Sequence, residues 1–249
     1  MKQVLFKLIS IATSFTLVSC QTPAPIAERT TSPPPTSEAK PTLVTNSAPS
    51  NFDEALYLFA NPDVAALIKQ GKYTSGLDHY TKVGQSTNKP DGESYESFFT
   101  GTSGNDTVTG FGQGTHTHLI GVKFEIVAKP NIKIPLRPQS NGQGESDILI
   151  GSKTGKNEFV IGSFITELSP KSESFYVGKG DADRAEIKNF TKSRDTIMLA
   201  GTPDRYKFEP VAGNLKISTK AGDLVAIVEG VDKLTPSDIS KEMGIFILK

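Results

Sequence analysis

The sequence predicts a mainly β protein, in which a β-solenoid, β-roll or sandwich forms the C-terminal domain and a small helical unit precedes it. Three observations carry this expectation. From Gly101 onward, short apolar runs recur between glycine-rich or charged turns. Between residues 51 and 90 the apolar positions instead recur at three- and four-residue spacing, the period of a helix face. Between residues 21 and 50 almost nothing is available to bury, so no folded element is expected there. The chain divides accordingly into 1–19, 20–50, 51–90 and 101–249.

Residues 1–19 read as a secretory signal: Lys2 and Lys7 lead into an apolar run from Leu8 to Val18. The run is too short to span a bilayer and ends at the small residue Ser19. Leu17-Val18-Ser19-Cys20 resembles the bacterial lipobox, which implies acylation of Cys20, the single cysteine of the chain, and attachment to a bacterial membrane outside the cytoplasm. Residues 20–50 then form a tether. Pro23, Pro25, Pro33-Pro34-Pro35, Pro41 and Pro49 lie among serines and threonines, a composition that favours extended, unpacked chain. At about 3.1 Å per residue its contour approaches roughly 90 Å, enough to hold a domain clear of lipid headgroups.

The helical unit follows. Phe52, Ala55, Leu56 and Phe59 mark one helical face, with Asp53 and Glu54 at its start, where the helix dipole favours acids. Asn61-Pro62-Asp63 reads as a restart, an N-cap followed by proline at the first helical position. Val64, Leu67 and Ile68 continue that helix, and Gly71 stops it. Ser75 is placed to cap a third helix carrying Leu77, Tyr80 and Val83. About forty residues bury too little core alone, so this unit is expected to pack on its neighbour. His79 reads as a packed or capping residue.

In the β region, His118–Ala128 alternates, with Ile120, Val122, Phe124 and Ile126 on one face. Further strands are expected at Asp147–Ile150, Glu158–Ile161, Phe175–Val177, Asp195–Leu199, Asn214–Ser218 and Leu224–Val228, with one weak strand around Ile132, Ile134 and Leu136.

The turns carry the closest link to known chemistry. Gly101-Thr-Ser-Gly-Asn-Asp106-Thr-Val-Thr109 resembles one RTX nonapeptide repeat, Gly-Gly-x-Gly-x-Asp-x-(large apolar)-x, with Thr102 in place of the second glycine. Gly142-Gln-Gly-Glu-Ser-Asp147-Ile-Leu-Ile150 is a second partial match, and Gly178-Lys-Gly180-Asp181-Ala-Asp183 is similar to the end of such domains. The resemblance implies a β-roll whose stacked turns hold calcium between aspartates and backbone carbonyls, with Asp106, Asp147 and Asp183 as the candidate ligands. Departures are also present: Thr115 and Asn157 stand where aspartates are usual, and a long insertion separates the first repeat from the second. Residues 57–84, with Asn61-Pro62-Asp63-Val64-Ala65 at their centre, resemble a helical module of bacterial secreted and surface proteins, some of which carry such repeats.

Composition narrows the function further. The chain has 27 basic and 27 acidic side chains, and the signal holds two of the lysines, so the mature chain is slightly acidic and lacks a nucleic-acid footprint. With Cys20 acylated no thiol remains for a disulfide, a nucleophile or a cysteine-based zinc site. There is no His-Glu-x-x-His, Gly-x-Ser-x-Gly or phosphate-binding loop. His116-Thr117-His118 would point two imidazoles to one face if extended, but no third ligand is near in sequence, and the pair reads as loop residues. The expectation is therefore a non-enzymatic, membrane-anchored lipoprotein with a structural, adhesive or binding role towards a polysaccharide or protein partner. The alternative is an envelope-polymer hydrolase using an acidic pair, such as Asp181 and Glu186.

Overall fold

The computed structural model describes residues 50–113 and 116–249. The signal, Cys20 and all but the last residue of the tether lie outside the described residues, as does Thr115. The protein is mainly β, with three short helices ahead of a β-solenoid of about three turns.

Each solenoid coil contributes one strand to each of two sheets, and successive coils pair in parallel. The first coil supplies β1 (Glu96–Thr100) and β2 (Thr107–Thr109), and the second β3 (His116–Ile120) and β6 (Ser146–Ile150). The third supplies β7 (Lys156–Val160) and β8 (Arg184–Lys188). The hairpin of β4 (Phe124–Ile126) and β5 (Leu136–Pro138) belongs to an excursion from the second coil. After β9 (Thr196–Ala200) the chain leaves the solenoid through β10 (Tyr206–Val211) and β11 (Asn214–Thr219), then returns as β12 (Leu224–Val228) beside β8. It ends in β13 (Pro236–Ser240) and β14 (Ile245–Leu248). The sheet orders are β1-β3-β7-β9-β14-β13 and β10-β11-β12-β8-β6-β2.

Between the sheets, Phe99, Leu119, Phe159, Ile197 and Leu199 face Val108, Leu149, Ile187 and Val228, all fully buried. These positions alternate with residues on the opposite face of their strands, the period-two pattern of a pleated strand. The opposite face of the first sheet is buried too, so β1 and β3 are covered on both sides.

The edge of β1 is covered at the start of the stack, and the far end finishes in short edge strands that carry proline. At the start, Asp53 N–H donates to the Phe98 carbonyl (2.8 Å) and Thr100 N–H to the Asn51 carbonyl (3.0 Å), which lays the incoming chain along β1. Three helices follow: α1 (Glu54–Ala60), α2 (Pro62–Lys69) and α3 (Gly76–His79), the last running into a wider turn over Tyr80–Gly84. Asp53 caps α1 by accepting from Leu56 N–H, and Ser75 caps α3 by accepting from Asp78 N–H. Gly71 ends the second helical segment at φ 74°, a conformation glycine adopts without a Cβ clash. Phe52, Tyr57, Tyr80 and Phe99 then form one aromatic cluster that seals the first coil. At the other end the antiparallel strands provide the closure, with Pro210 and Pro236 on edge strands where no ladder donor is needed.

Three sequence expectations change. The alternating run at 118–128 is not one strand: it breaks at Gly121, where a Cβ would lie 2.0 Å from the Tyr176 hydroxyl and 2.3 Å from Asp147 Oδ2. Phe175–Val177 is apolar because it plugs the interior, with Tyr176 at φ 59° outside any strand. Asn61 begins α2, yet its side chain makes no cap. Its Nδ2 donates to the carbonyls of Tyr57 (2.7 Å) and Glu96 (2.8 Å), and its Oδ1 accepts from Glu96 N–H at 3.2 Å. The amide thus acts as a short piece of strand beside β1.

Asn61→Ala removes all three hydrogen bonds in a fully buried place. It is expected to destabilise the fold by about 2–4 kcal/mol in urea unfolding. A loss below about 0.5 kcal/mol would show that the helical cap is not coupled to the solenoid in this way.

Candidate metal centre

The turn aspartates sit on successive coils, one per rung. Asp147 Oδ1 accepts from Asp106 N–H (2.8 Å) and its Oδ2 from the Tyr176 hydroxyl (2.6 Å). Asp106 Oδ2 accepts from Thr102 N–H at 2.7 Å. Asp183 Oδ2 accepts from Gly144 N–H at 3.2 Å, while its Oδ1 is buried without a hydrogen bond. Asp223 continues the series, accepting from Gly178 and Gly180 N–H. Burial pushes the Asp147 carboxyl above its ordinary range, only partly offset by the Tyr176 and Asp106 hydrogen bonds. Asp147, Asp183 and Asp223 thus act as staples from one coil to the preceding one, while Asp106 holds its own turn.

The opposite corner of the roll uses the same device. Asn157 N–H and Nδ2 both donate to Asp195 Oδ1 at 3.0 Å, and Asn157 Oδ1 accepts from Ser152 N–H at 2.9 Å. An amide at this position supplies the donor that a second carboxylate could not.

Calcium takes six to eight oxygen ligands. Here Asp106 Oδ2, both oxygens of Asp147 and Oδ2 of Asp183 already face protein donors. Among the described residues, none of the three belongs to a group of three or more metal-ligating side chains within reach of one another.

One such group does exist, on the outer face of the first sheet. The register aligns Glu96 with His116, Phe98 with His118, and His118 with Glu158, so β1, β3 and β7 bring both imidazoles between two carboxylates. The four residues are only 2–7 % exposed. Glu96 Oε2 lies 2.6 Å from His116 Nδ1 and 3.0 Å from His118 Nε2. The other ring nitrogens face Glu158: His118 Nδ1 is 3.6 Å from its Oε1 and His116 Nε2 is 3.8 Å from its Oε2. Phe98 stacks on the His118 ring with centroids 4.5 Å apart and planes 6° from parallel, which fixes that imidazole's plane. A cavity of about 30 Å³ adjoins His118 and Glu158, walled by apolar side chains including Leu56, Phe124, Leu136 and Phe164.

The electrostatics follow from this geometry. Burial pulls the His118 imidazole down, but Glu158 and Glu96 outweigh it and push it up to about 9. For both glutamates, burial favours the neutral acid, and the histidines reverse that effect and hold the carboxyls below their ordinary range. Chemically the cluster is either a charge-compensated acid–imidazole network or a donor set for a cation. One ligand atom from each of Glu96, His116 and His118 lies within 4.8 Å of the other two.

Reading His116 and His118 as loop residues is thus corrected: they lie on a buried strand. The available signal was the i, i+2 spacing, which puts both on one strand face. His79, the third histidine, is packed, with Nδ1 2.8 Å from the Tyr57 hydroxyl and edge contacts to Tyr73 and Tyr95. No protein-family model and no curated protein matches the chain.

Two predictions arise here. The raised His118 contributes stability that is complete below its ordinary pKa of 6.5 and is lost as pH rises towards about 9. The lowered glutamates contribute stability that is present above their ordinary 4.5 and lost as pH falls below it. In chelator, urea midpoints should therefore be highest between about pH 4.5 and 6.5 and fall by the equivalent of 1–3 kcal/mol, to order of magnitude, by pH 9. His118→Gln should flatten the alkaline limb, and an unchanged slope in that variant would contradict the assignment. Asp147→Ala strands the Asp106 N–H and the Tyr176 hydroxyl, so it should cost about 2–5 kcal/mol in EDTA and in calcium alike. A cost seen only in calcium would make Asp147 an ion ligand instead.

Proposed function

We propose that this chain is a lipid-anchored extracytoplasmic module with a structural or adhesive role, presenting a rigid solenoid to a polysaccharide or protein partner. The observation that supports it most is the use of the turn carboxylates. They staple coil to coil, so the module is self-contained, closed by a helical cap at one end and antiparallel strands at the other. Cys20 and the proline-rich segment supply the anchor and the stand-off. No helix among the described residues is long and apolar enough to cross a membrane.

In this reading the turns hold without calcium, and the ion-binding chemistry of the resemblance has been replaced by hydrogen bonds. Nothing identifies an enzyme family for the chain. The hydrolase alternative needs two carboxylates facing a substrate, yet the facing pair Glu96 and Glu158 is buried and turned towards the two histidines. Asp181 is exposed and pairs with Lys216, while Glu186 is held by Arg184.

Anchoring is tested with Cys20→Ser in a bacterial host labelled with a fatty-acid probe. The substituted protein should lose the label and leave the membrane fraction, or accumulate unprocessed. Full membrane retention of an unlabelled Cys20→Ser protein would overturn the anchor.

A further inference from the structure

With both imidazoles neutral, the cluster of Glu96, His116, His118 and Glu158 places two negative charges in a dry, apolar layer. Charges buried without compensation are strongly unfavourable, so two positive charges must come from somewhere. Two ring protons can supply them, and so can one divalent cation.

The donor geometry favours the cation. Glu96 Oε2 lies 2.6 Å from His116 Nδ1 and 3.0 Å from His118 Nε2, and the three residues each offer a ligand atom within 4.8 Å of the others. Zinc bonds of about 2.0–2.1 Å in tetrahedral array would separate neighbouring ligand atoms by about 3.3 Å. The present 2.6 and 3.0 Å contacts need to open by only a fraction of an ångström to reach that spacing.

Glu158 provides an independent observation. It is buried, and its Oε1 accepts no hydrogen bond. Both its oxygens face the ring nitrogens turned away from Glu96, at 3.6 and 3.8 Å. A metal-bound imidazole holds its tautomer by donating its other N–H to a carboxylate or carbonyl, and Glu158 stands where it serves both rings at once. Phe98 adds the orientation by stacking on His118.

We propose that Glu96, His116 and His118 bind one divalent transition-metal ion of the zinc class, with Glu158 as the outer carboxylate that orients both imidazoles. Imidazole nitrogen excludes calcium and magnesium as the preferred ions, since both take oxygen ligands. The ion joins β1 to β3, and Asn61 holds the backbone of Glu96, so the site ties the helical cap to the second coil.

The test uses the purified chain stripped with EDTA, dialysed, and titrated with cobalt(II) and zinc(II), reading visible absorption and calorimetric stoichiometry. One ion per chain is expected, with the intense visible bands of low-coordinate cobalt. Zinc at a hundredfold excess over its Kd should raise the melting temperature by about 5–10 °C, and calcium should not. Glu96→Gln, close to isosteric, should weaken binding by about 100-fold or more, and Glu158→Gln by about 10–100-fold with one site retained. Circular dichroism of the metal-free variants checks their fold, and the wild-type titration stands even where a variant fails to fold. Absence of stoichiometric cobalt or zinc uptake by the wild type would overturn the proposal. So would uptake undiminished in folded Glu96→Gln.

Discussion

The stacking of one coil on the next governs everything else in this molecule. Parallel strands fix the coil-to-coil spacing at about 4.8 Å, so every residue lies above a counterpart in the neighbouring coil. A polar group turned inward has no water and must find its partner one coil away. Asp147 meets the Asp106 N–H, Asp183 meets the Gly144 N–H, and Asn157 meets Asp195 under this single constraint. The same spacing explains the corner glycines. A Cβ at Gly101 would lie 1.8 Å from the Gly121 carbonyl oxygen, so that backbone approach tolerates only hydrogen.

The acid–histidine cluster is a product of the same register, expressed on the outer face. Strands β1, β3 and β7 are in step, which sets Glu96 beside His116 and His118 beside Glu158. On an exposed sheet such pairs would contribute little, because water screens them. Here the helical cap and the excursions from the second and third coils cover the face, and Leu56, Phe124 and Phe164 keep it dry. The cap therefore does two jobs: it closes the strand edge at β1, and it creates the low-dielectric layer in which the cluster's charges dominate.

Much of the fold was legible in the sequence because its core strands are apolar on the face between the sheets. Asp147–Ile150, Asn214–Ser218 and Leu224–Val228 lie within or nearly match strands β6, β11 and β12. Strand β8 escaped notice because Arg184, Glu186 and Lys188 alternate with only Ala185 and Ile187, too little apolar content over five residues to mark a strand. Phe175–Val177 misled for the opposite reason: a buried plug and a buried strand have the same hydrophobicity. The candidate site was the least legible part. Glu96 precedes His116 by twenty residues and Glu158 follows His118 by forty, and only the register of the coils joins them. Period and composition do not encode register across long excursions, so the two histidines looked solitary.

Side-chain carboxylates gripping backbone N–H groups of the neighbouring coil are the contacts that hold the turns in register. Native-state amide exchange in EDTA tests it most directly. The amides of Asp106 and Asn157, which donate to Asp147 and Asp195, should exchange only through the same global opening as the strand amides of β6 and β7. Exchange of those two amides at unprotected rates in EDTA, with protection appearing only on addition of calcium, would contradict it.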